Sequence, residues 1–425
     1  MALPEQRALV IDEADVGLDD PESRYDRQER VSWWDQDRLR LGRVLVVGAG
    51  ALGNEIVKNL ALLGVGEIVV IDPDHVELSN LARCVLFRLE DEGSPKAEVL
   101  ARRAIELNSD VRVSAIVGDI RSLGTGIAAR ADVIVGALDN REARLYCNRL
   151  AARTGRHWVD GAIEALTGIA RVFHPPQCCY ECTLTESDWQ ALAHRQSCRL
   201  LSRGDMEAGK VPTTATSSSV VGGIEAQEVV KLLHLGRPGV TPLNGALVFN
   251  GEANDSYPLT YPVDPDCFAH RYFESPIEVV LDAARFSSMT PESLAKLAWP
   301  EAIISDASPV VLDLIDDHVI GWTCSGCGQV APDRRAASLI EWGEAVCPNC
   351  GEARQPQTIS QVSIPGERSG LTLAEIGVRY DEILPVRHRM EERFVWLSLP
   401  DPRLPVAWRV HGGPQRQAIG EVHGG

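Results

Sequence analysis

The sequence predicts an α/β fold: a mixed sheet, parallel in its first half, followed by a smaller α+β unit. Three observations carry that expectation. Residues 44–72 read as strand, glycine turn, helix and strand. Apolar runs of strand length then alternate with helical patterns as far as Asp160. Two C-x-x-C pairs, Cys324/Cys327 and Cys347/Cys350, fall in a later group of short strands and helices.

The first strand is VLVV, a β-branched run suited to burial on both faces. Gly48, Gly50 and Gly53 follow in a G-x-G-x-x-G pattern, which lets backbone turn tightly and approach a phosphate. Ile56, Val57, Leu60 and Leu63 recur at helical spacing, and Gly64 is a C-terminal stop. EIVVID is the second strand and ends in Asp72, placed to hold a ribose hydroxyl. The helix N-terminus between them offers its partial positive charge to a phosphate.

A dehydrogenase would open the same way. Beyond Asp72, however, the chain reads D-x-D…S-N-x-x-R…P-K through Asp74, Asn80, Arg83 and Lys96. Two cations beyond an acidic pair suit a triphosphate better than NAD. A NAD(P)-dependent oxidoreductase explains the glycines and Asp72 but leaves Arg83, Lys96 and Asp139 without roles. With these motifs the chain resembles the ThiF-type adenylyltransferases, the family of ubiquitin-activating enzymes and of activators of sulfur-carrier proteins. The resemblance runs from about Arg24 to about His270 and implies a Rossmann-like mixed sheet of the ThiF/ubiquitin-activating type.

A net charge of −18 argues against a broad nucleic-acid surface and fits protein or small-molecule partners. No apolar run reaches membrane-spanning length and the N-terminus lacks a signal pattern, so the chain reads as cytoplasmic, with no membrane partner. Of eleven cysteines, six lie in C-x-x-C pairs and one in a C-x-x-H, which favours zinc over disulfides.

In chain order, residues 1–22 are acidic and weakly periodic, a mobile leader. RYDRQERVSWWDQDRLRLGR suggests a helix packed on the sheet. Taken alone, Arg27 is a solvated arginine; the resemblance implies instead that it crosses a homodimer to the partner subunit's ATP. AEVLARRAIELN is a helix, and VRVSAIVGD and ADVIVGALDN are strands. Asp139, at the end of the latter, either caps the next helix or, as the resemblance implies, holds a catalytic Mg2+. HWVDGAIEALTGIARVFHPP supplies the antiparallel part of the sheet. Cys179 and Cys182 pair naturally with Cys267 and His270 as a closed structural Zn2+ site.

Residues 183–212 read as a polar crossover loop containing Cys198, ahead of a helix with Ile224, Val229 and Leu232 on its apolar face. Cys198 is either a buried, inert thiol or, as the resemblance implies, the residue that takes the activated protein as a thioester. Its basic neighbours Arg195 and Arg199 favour a lowered thiol pKa. The adenylation domain spans 23–273 and an α+β domain spans 274–410, its zinc ribbon at 324–350 formed by Cys324, Cys327, Cys347 and Cys350. The ribbon either only staples this small domain or also docks a partner. Residues 411–425 form a flexible tail ending in Gly424 and Gly425.

The implied activity is ATP-dependent adenylation of the C-terminal glycine of a ubiquitin-like protein, then thioester formation and transfer to a conjugating enzyme. The alternative is activation of a sulfur carrier, also ending in Gly-Gly, for thiamine or molybdopterin synthesis. A non-catalytic zinc scaffold explains the cysteines but leaves the ATP-site residues idle.

Overall fold

A computed structural model describes residues 23–175, 177–190, 212–340, 342–399, 404 and 408. The expected leader, most of the crossover loop with Cys198, and the tail lie outside the described residues.

The first expected helix is two short ones, α1 (Asp26–Glu29) and α2 (Gln36–Arg40). The Trp33–Trp34 turn separates them, and Asp35 caps α2 by accepting from the Arg38 N–H. His234 stacks against both tryptophans at 5.3 and 5.5 Å. Its Nε2 accepts from the Asp35 N–H, so Nδ1 is the protonated nitrogen that donates to the Val230 carbonyl. Tertiary anchoring therefore breaks a segment whose periodicity suggested one helix.

Strand β1 (Arg43–Val47) leads through the glycine turn into α3 (Ala51–Leu63), and β2 (Glu67–Asp72) follows. Helix α4 (Lys96–Leu107), β3 (Arg112–Val117), α5 (Gly126–Arg130), β4 (Val133–Gly136) and α6 (Arg141–Thr154) continue the alternation. Then come β5 (His157–Glu164), β6 (Thr167–Phe173), α7 (Ala215–Leu233), β7 (Gly245–Asn250) and β8 (Asp255–Leu259). The sheet order is β3-β2-β1-β4-β5-β6-β7-β8. It is parallel from β3 to β5 and antiparallel beyond. The strand order reverses at β1/β4, where an open α/β sheet leaves a crevice at its carboxyl edge.

Both faces are covered. Helices α3, α4 and α7 pack over Val44, Val46, Ile68, Val70 and Val159. Helices α5 and α6 cover Leu45, Val47, Ile71 and Trp158. On α7 the buried face runs through Val221, Ala226, Val229 and Val230 and carries two buried glutamates, Glu225 and Glu228, while Ile224 is half-buried.

The second unit comprises β9 (Ile277–Val280), α8 (Ala283–Ser288), α9 (Pro291–Ala298), β10 (Val310–Cys324), β11 (Val330–Ala336), β12 (Arg354–Ile364), α10 (Leu373–Ile376), β13 (Ile383–His388) and β14 (Glu391–Ser398). Its sheet runs β11-β10-β13-β14-β9, with β12 also on β10. It has its own core around Phe286, Leu294, Val310, Leu312, Val386 and Leu397. After β14 the chain returns to the first unit: Leu404 and Trp408 belong to the core beneath α6.

A buried polar lock joins the units. Arg130 and Asp381, with side chains 1% and 5% exposed, pair through two 2.8 Å bonds. Arg130 also donates to the Trp408 carbonyl, and Trp396 Nε1 donates to Asp381. Thr125 donates to Glu382 and accepts from the Ile383 N–H. Gly124 and Gly126 permit the approach, since a Cβ on either would lie within 2.5 Å of the Tyr380 or Asp381 carbonyl oxygen. Arg130→Met leaves the Asp381 carboxylate buried without its cation. It is expected to cost about 3–5 kcal/mol in chemical denaturation, whereas Lys296→Met, whose exposed ammonium pairs with the exposed Glu292, is expected to cost about 0–1 kcal/mol.

Candidate active site

The glycine turn is close-packed at Gly48 and Gly53 and open at Gly50. Gly48 has φ +104°, and a Cβ there would lie 2.3 Å from the Ala137 carbonyl oxygen. A Cβ on Gly53 would lie 2.1 Å from the Gly48 oxygen, whereas one on Gly50 would meet nothing within 4 Å. Gly50 caps α3, so the open side is the helix N-terminus, where phosphate oxygens would meet backbone N–H groups.

Asp72 holds the turn in shape. Its two carboxylate oxygens accept from the Ala49 N–H at 2.7 Å and the Asp74 N–H at 2.8 Å. Burial pushes its pKa up, against the pull of those two N–H groups. The residue expected at a ribose thus also braces the glycine turn. Lys96 Nζ donates to Asp74 at 2.8 Å, with Lys96 13% and Asp74 62% exposed. Burial would depress the ammonium, but Asp74 and Asp72 outweigh it and hold its pKa above the ordinary value. Lys96 remains a cation across the physiological range.

Asn80 is buried and accepts from the Glu77 N–H. Its backbone carbonyl accepts from the Arg83 N–H, and the half-exposed Arg83 side chain donates to the Ser79 carbonyl. Asn54, absent from the sequence expectations, ties this segment to the turn. Its amide donates to the Ala49 and Gly50 carbonyls and accepts from the Leu86 N–H. Its only sequence signal is an amide on the core side of α3. Cys84 nearby is buried, and its thiol is pushed up to about 11, so it stays protonated. It offers no nucleophile.

Asp139 lies three residues beyond the end of β4, in the turn whose Ala137 abuts Gly48. Asn140 is the helix cap, accepting from the Ala143 N–H. The Asp139 carboxylate is exposed and accepts from Asn140 Nδ2 at 3.1 Å. A single open carboxylate fits Mg2+, which keeps several waters and takes only one or two carboxylates from protein.

The structure brings together Gly48, Gly50, Gly53, Asp72, Asp74, Asn80, Arg83, Lys96 and Asp139 at the carboxyl edge of the sheet. It does not bring Arg27 there. Arg27 is 83% exposed on α1. Its neighbour Tyr25 packs on Gly64, at the far end of the 13-residue α3, about 20 Å from the glycine turn.

Two cysteine clusters lie elsewhere. Cys179, Cys182, Cys267 and His270 have their ligand atoms within 4.8 Å of one another. Cys179 Sγ is 3.7 Å from Cys182 Sγ and 3.6 Å from Cys267 Sγ. Tetrahedral zinc with Zn–S bonds of about 2.3 Å requires S···S edges of roughly 3.8 Å. Cys324, Cys327, Cys347 and Cys350 are similarly clustered at the tips of β10 and β12, with pairs at 3.4 and 3.8 Å. Both donor sets fit Zn2+. The first cross-links the segment after β6 to residues 88 positions later. Arg149 on α6 braces it through the buried Glu181.

A ThiF family profile matches residues 25–267, more than half of the chain. The SAMP-activating enzyme E1 of Haloferax volcanii is 35% identical over 253 residues, covering 58% of this chain and 86% of that one. A sulfur carrier protein adenylyltransferase of Thermus thermophilus is 34% identical over 262 residues, covering 57% and 89%. The sulfur carrier protein ThiS adenylyltransferase of Escherichia coli is 31% identical, covering 54% and 88%. All three span far more of themselves than of this chain.

Gly50 and Gly53 separate nucleotide contact from folding. Gly50→Ala is expected to lower stability by no more than about 1 kcal/mol, the cost of alanine at a helix N-cap, while weakening ATP binding about tenfold, or 1.4 kcal/mol. Gly53→Ala is expected to disrupt the turn itself, read as a lowered melting temperature. Thermal melts beside calorimetric ATP titrations check both.

Proposed function

The chain belongs to the ThiF family, and on that premise we propose a two-stage activation reaction. The enzyme is an adenylyltransferase acting on a ubiquitin-like or sulfur-carrier protein. The observation that carries the reading is the carboxyl-edge arrangement: an open glycine turn, two cations and an exposed aspartate converging on one crevice.

ATP lies with its phosphates at the open side of Gly50 and its ribose toward Asp72. Arg83 and Lys96 take the triphosphate, steadied by Asn80 and Asp74. Arg27 of a second copy completes the site in a homodimer. Its distance from the glycine turn within one chain supports the trans arrangement. Asp139 would hold Mg2+, and the ion would supply neutralisation of phosphate oxygens that repel an incoming carboxylate. The terminal glycine carboxylate of the protein substrate attacks the α-phosphorus. An O–P bond forms, the bond to the β-phosphate oxygen breaks, and pyrophosphate leaves. No base is required, because that carboxylate is ionised at neutral pH. The chain's own contribution is positioning and charge neutralisation.

In the second stage Cys198 attacks the acyl adenylate, giving a thioester and AMP, and the acyl group passes to the cysteine of a conjugating enzyme. The name of the Haloferax relative favours this outcome. The names of the Thermus and Escherichia relatives favour sulfur-carrier activation without an obligatory thioester. No described helix is long and apolar enough to cross a membrane, in keeping with work on protein partners in the cytoplasm. The two zinc sites are structural, and the ribbon belongs to a domain of its own.

Asp139→Ala is expected to abolish ATP–pyrophosphate exchange. With Mg-ATP and a Gly-Gly-ended substrate, a thiol-sensitive adduct on non-reducing gels, lost in Cys198→Ala and kept in Cys178→Ala, is the expected sign of the thioester. Exchange without an adduct selects the sulfur-carrier alternative. Metal analysis should find two zinc ions per chain, one lost in Cys179→Ser and the other in Cys324→Ser, with only the first perturbing the adenylation domain.

A further inference from the structure

Parallel pairing of β4 with β5 stops at Gly136↔Asp160. Beyond that pair β5 continues against β6, while the Ala137 N–H donates to the Val47 carbonyl at the end of β1. The guanidinium of Arg144, from the second turn of α6, bridges the segment after β4 to β5. Its Nε donates to Asp160 Oδ1 at 3.0 Å. Its Nη2 donates to the Gly161 carbonyl at 2.9 Å and, by a short bond, to the Leu138 carbonyl. Asp160 is fully buried, and its other oxygen accepts from Arg171 Nη1 at 2.7 Å. One rigid planar cation therefore ties the segment after β4 and β5 itself to an anchored carboxylate. Leu138 is the residue immediately before Asp139.

We propose that Arg144 is a positioning residue that fixes the Asp139 turn, and with it the aim of the Asp139 carboxylate at the metal. The inference rests on Asp139 being the magnesium ligand. A simple ion pair would not need this geometry. Asp160 is already matched by Arg171, and a buried pair adds little stability on balance. What Arg144 adds is contact with the Leu138 carbonyl beyond the end of β4 and with the Gly161 carbonyl on β5, which an ammonium on a flexible stem cannot reproduce together with the Asp160 bond. The turn is then held at Ala137 by the Val47 carbonyl, at Leu138 by Arg144 and at Asn140 by its helix cap. The Asp139 side chain projects from a backbone fixed on both sides.

The test uses Arg144→Lys in the full chain, with Asp160→Asn as a variant that keeps shape and an acceptor oxygen. Mn2+ is the probe: its free signal in electron paramagnetic resonance, titrated with enzyme and ATP, reads metal affinity without turnover. Partners that orient metal ligands typically matter by about 10–100-fold in affinity or activity. Arg144→Lys is expected to weaken Mn2+ binding about tenfold and lower kcat for ATP–pyrophosphate exchange by a similar factor. At saturating Mg2+, KM for ATP should stay within about twofold, because Arg144 touches none of the groups assigned to the nucleotide and the linkage through the metal is then saturated. Raised Mg2+ should recover part of the lost rate. Asp160→Asn should shift metal affinity the same way. A folded Arg144→Lys enzyme with wild-type Mn2+ affinity and kcat overturns the proposal, as does an effect confined to melting temperature. Asp139→Ala separates the premise: unchanged Mn2+ binding there refutes the metal assignment itself, whereas loss there with retention in Arg144→Lys refutes only the role of Arg144.

Discussion

A single desolvated carboxylate sets the geometry at the crevice. Asp72 accepts from the Ala49 N–H on one side and the Asp74 N–H on the other, so the turn after β1 and the exit from β2 are fixed to one group. Loss of water disfavours the charged form, and the two N–H groups are what hold it. Asp74, positioned by that bond, in turn holds Lys96. The glycine turn, the acidic pair and the lysine are thus one construction. Replacing any member shifts the others, because interiors transmit displacement rather than absorb it.

The two edges of the first sheet do different work. At the carboxyl edge, strand ends diverge and charged side chains bridge the backbone there: Asp72 accepts from N–H groups beyond β1 and β2, and Arg144 donates to the Leu138 and Gly161 carbonyls beyond β4 and on β5. Such an edge is polar and open, which suits a nucleotide. At the amino edge the chain is closed by well-satisfied polar contacts. Tyr25, Asn108 and Asp110 bond one another under α3 and α4, and His157 and His174 meet nitrogen to nitrogen at 3.0 Å. Burial and the adjacent ring hold His157 down to about 4, so its own ring stays neutral near neutral pH.

The parts legible in the sequence are those whose signal is local. A glycine turn needs glycines at fixed offsets because carbonyl oxygens occupy the places where Cβ atoms would stand. Cysteine pairs two residues apart announce a metal because few other uses put thiols so close. The strand and helix alternation follows from apolar periodicity. What was illegible is long-range. Nothing in the sequence joins Arg144 to Asp160, 16 residues on, in preference to any other aspartate. Arg130 and Asp381 are 251 positions apart. Trp408 falls within the expected C-terminal domain, 274–410, yet its ring is buried in the first unit's core. The α1–α2 break was hidden because His234, which enforces it, arrives about two hundred residues later.

The buried lock between the units bears on what the C-terminal unit is for. Linkers that permit independent motion are polar and exposed, and interfaces between mobile domains are small. Here the contact is a desolvated ion pair with every arginine donor group engaged: Nε and Nη2 on Asp381, Nη1 on Trp408 and Nη2 again on Ser398. Opening it exposes an uncompensated charge in a poorly hydrated groove, a cost of several kcal/mol. Arg379 adds a second tie, reaching from the C-terminal unit to Tyr146 on α6, the helix that also bears Arg144. The second sheet and its cysteine ribbon are therefore carried at a fixed place relative to the crevice. A rigid placement favours a fixed contribution to the enzyme's surface over a tethered, freely moving module, and it gives α6 three constraints at once: the Asp139 turn at its start, the C-terminal unit in its middle and the first cysteine cluster through Arg149.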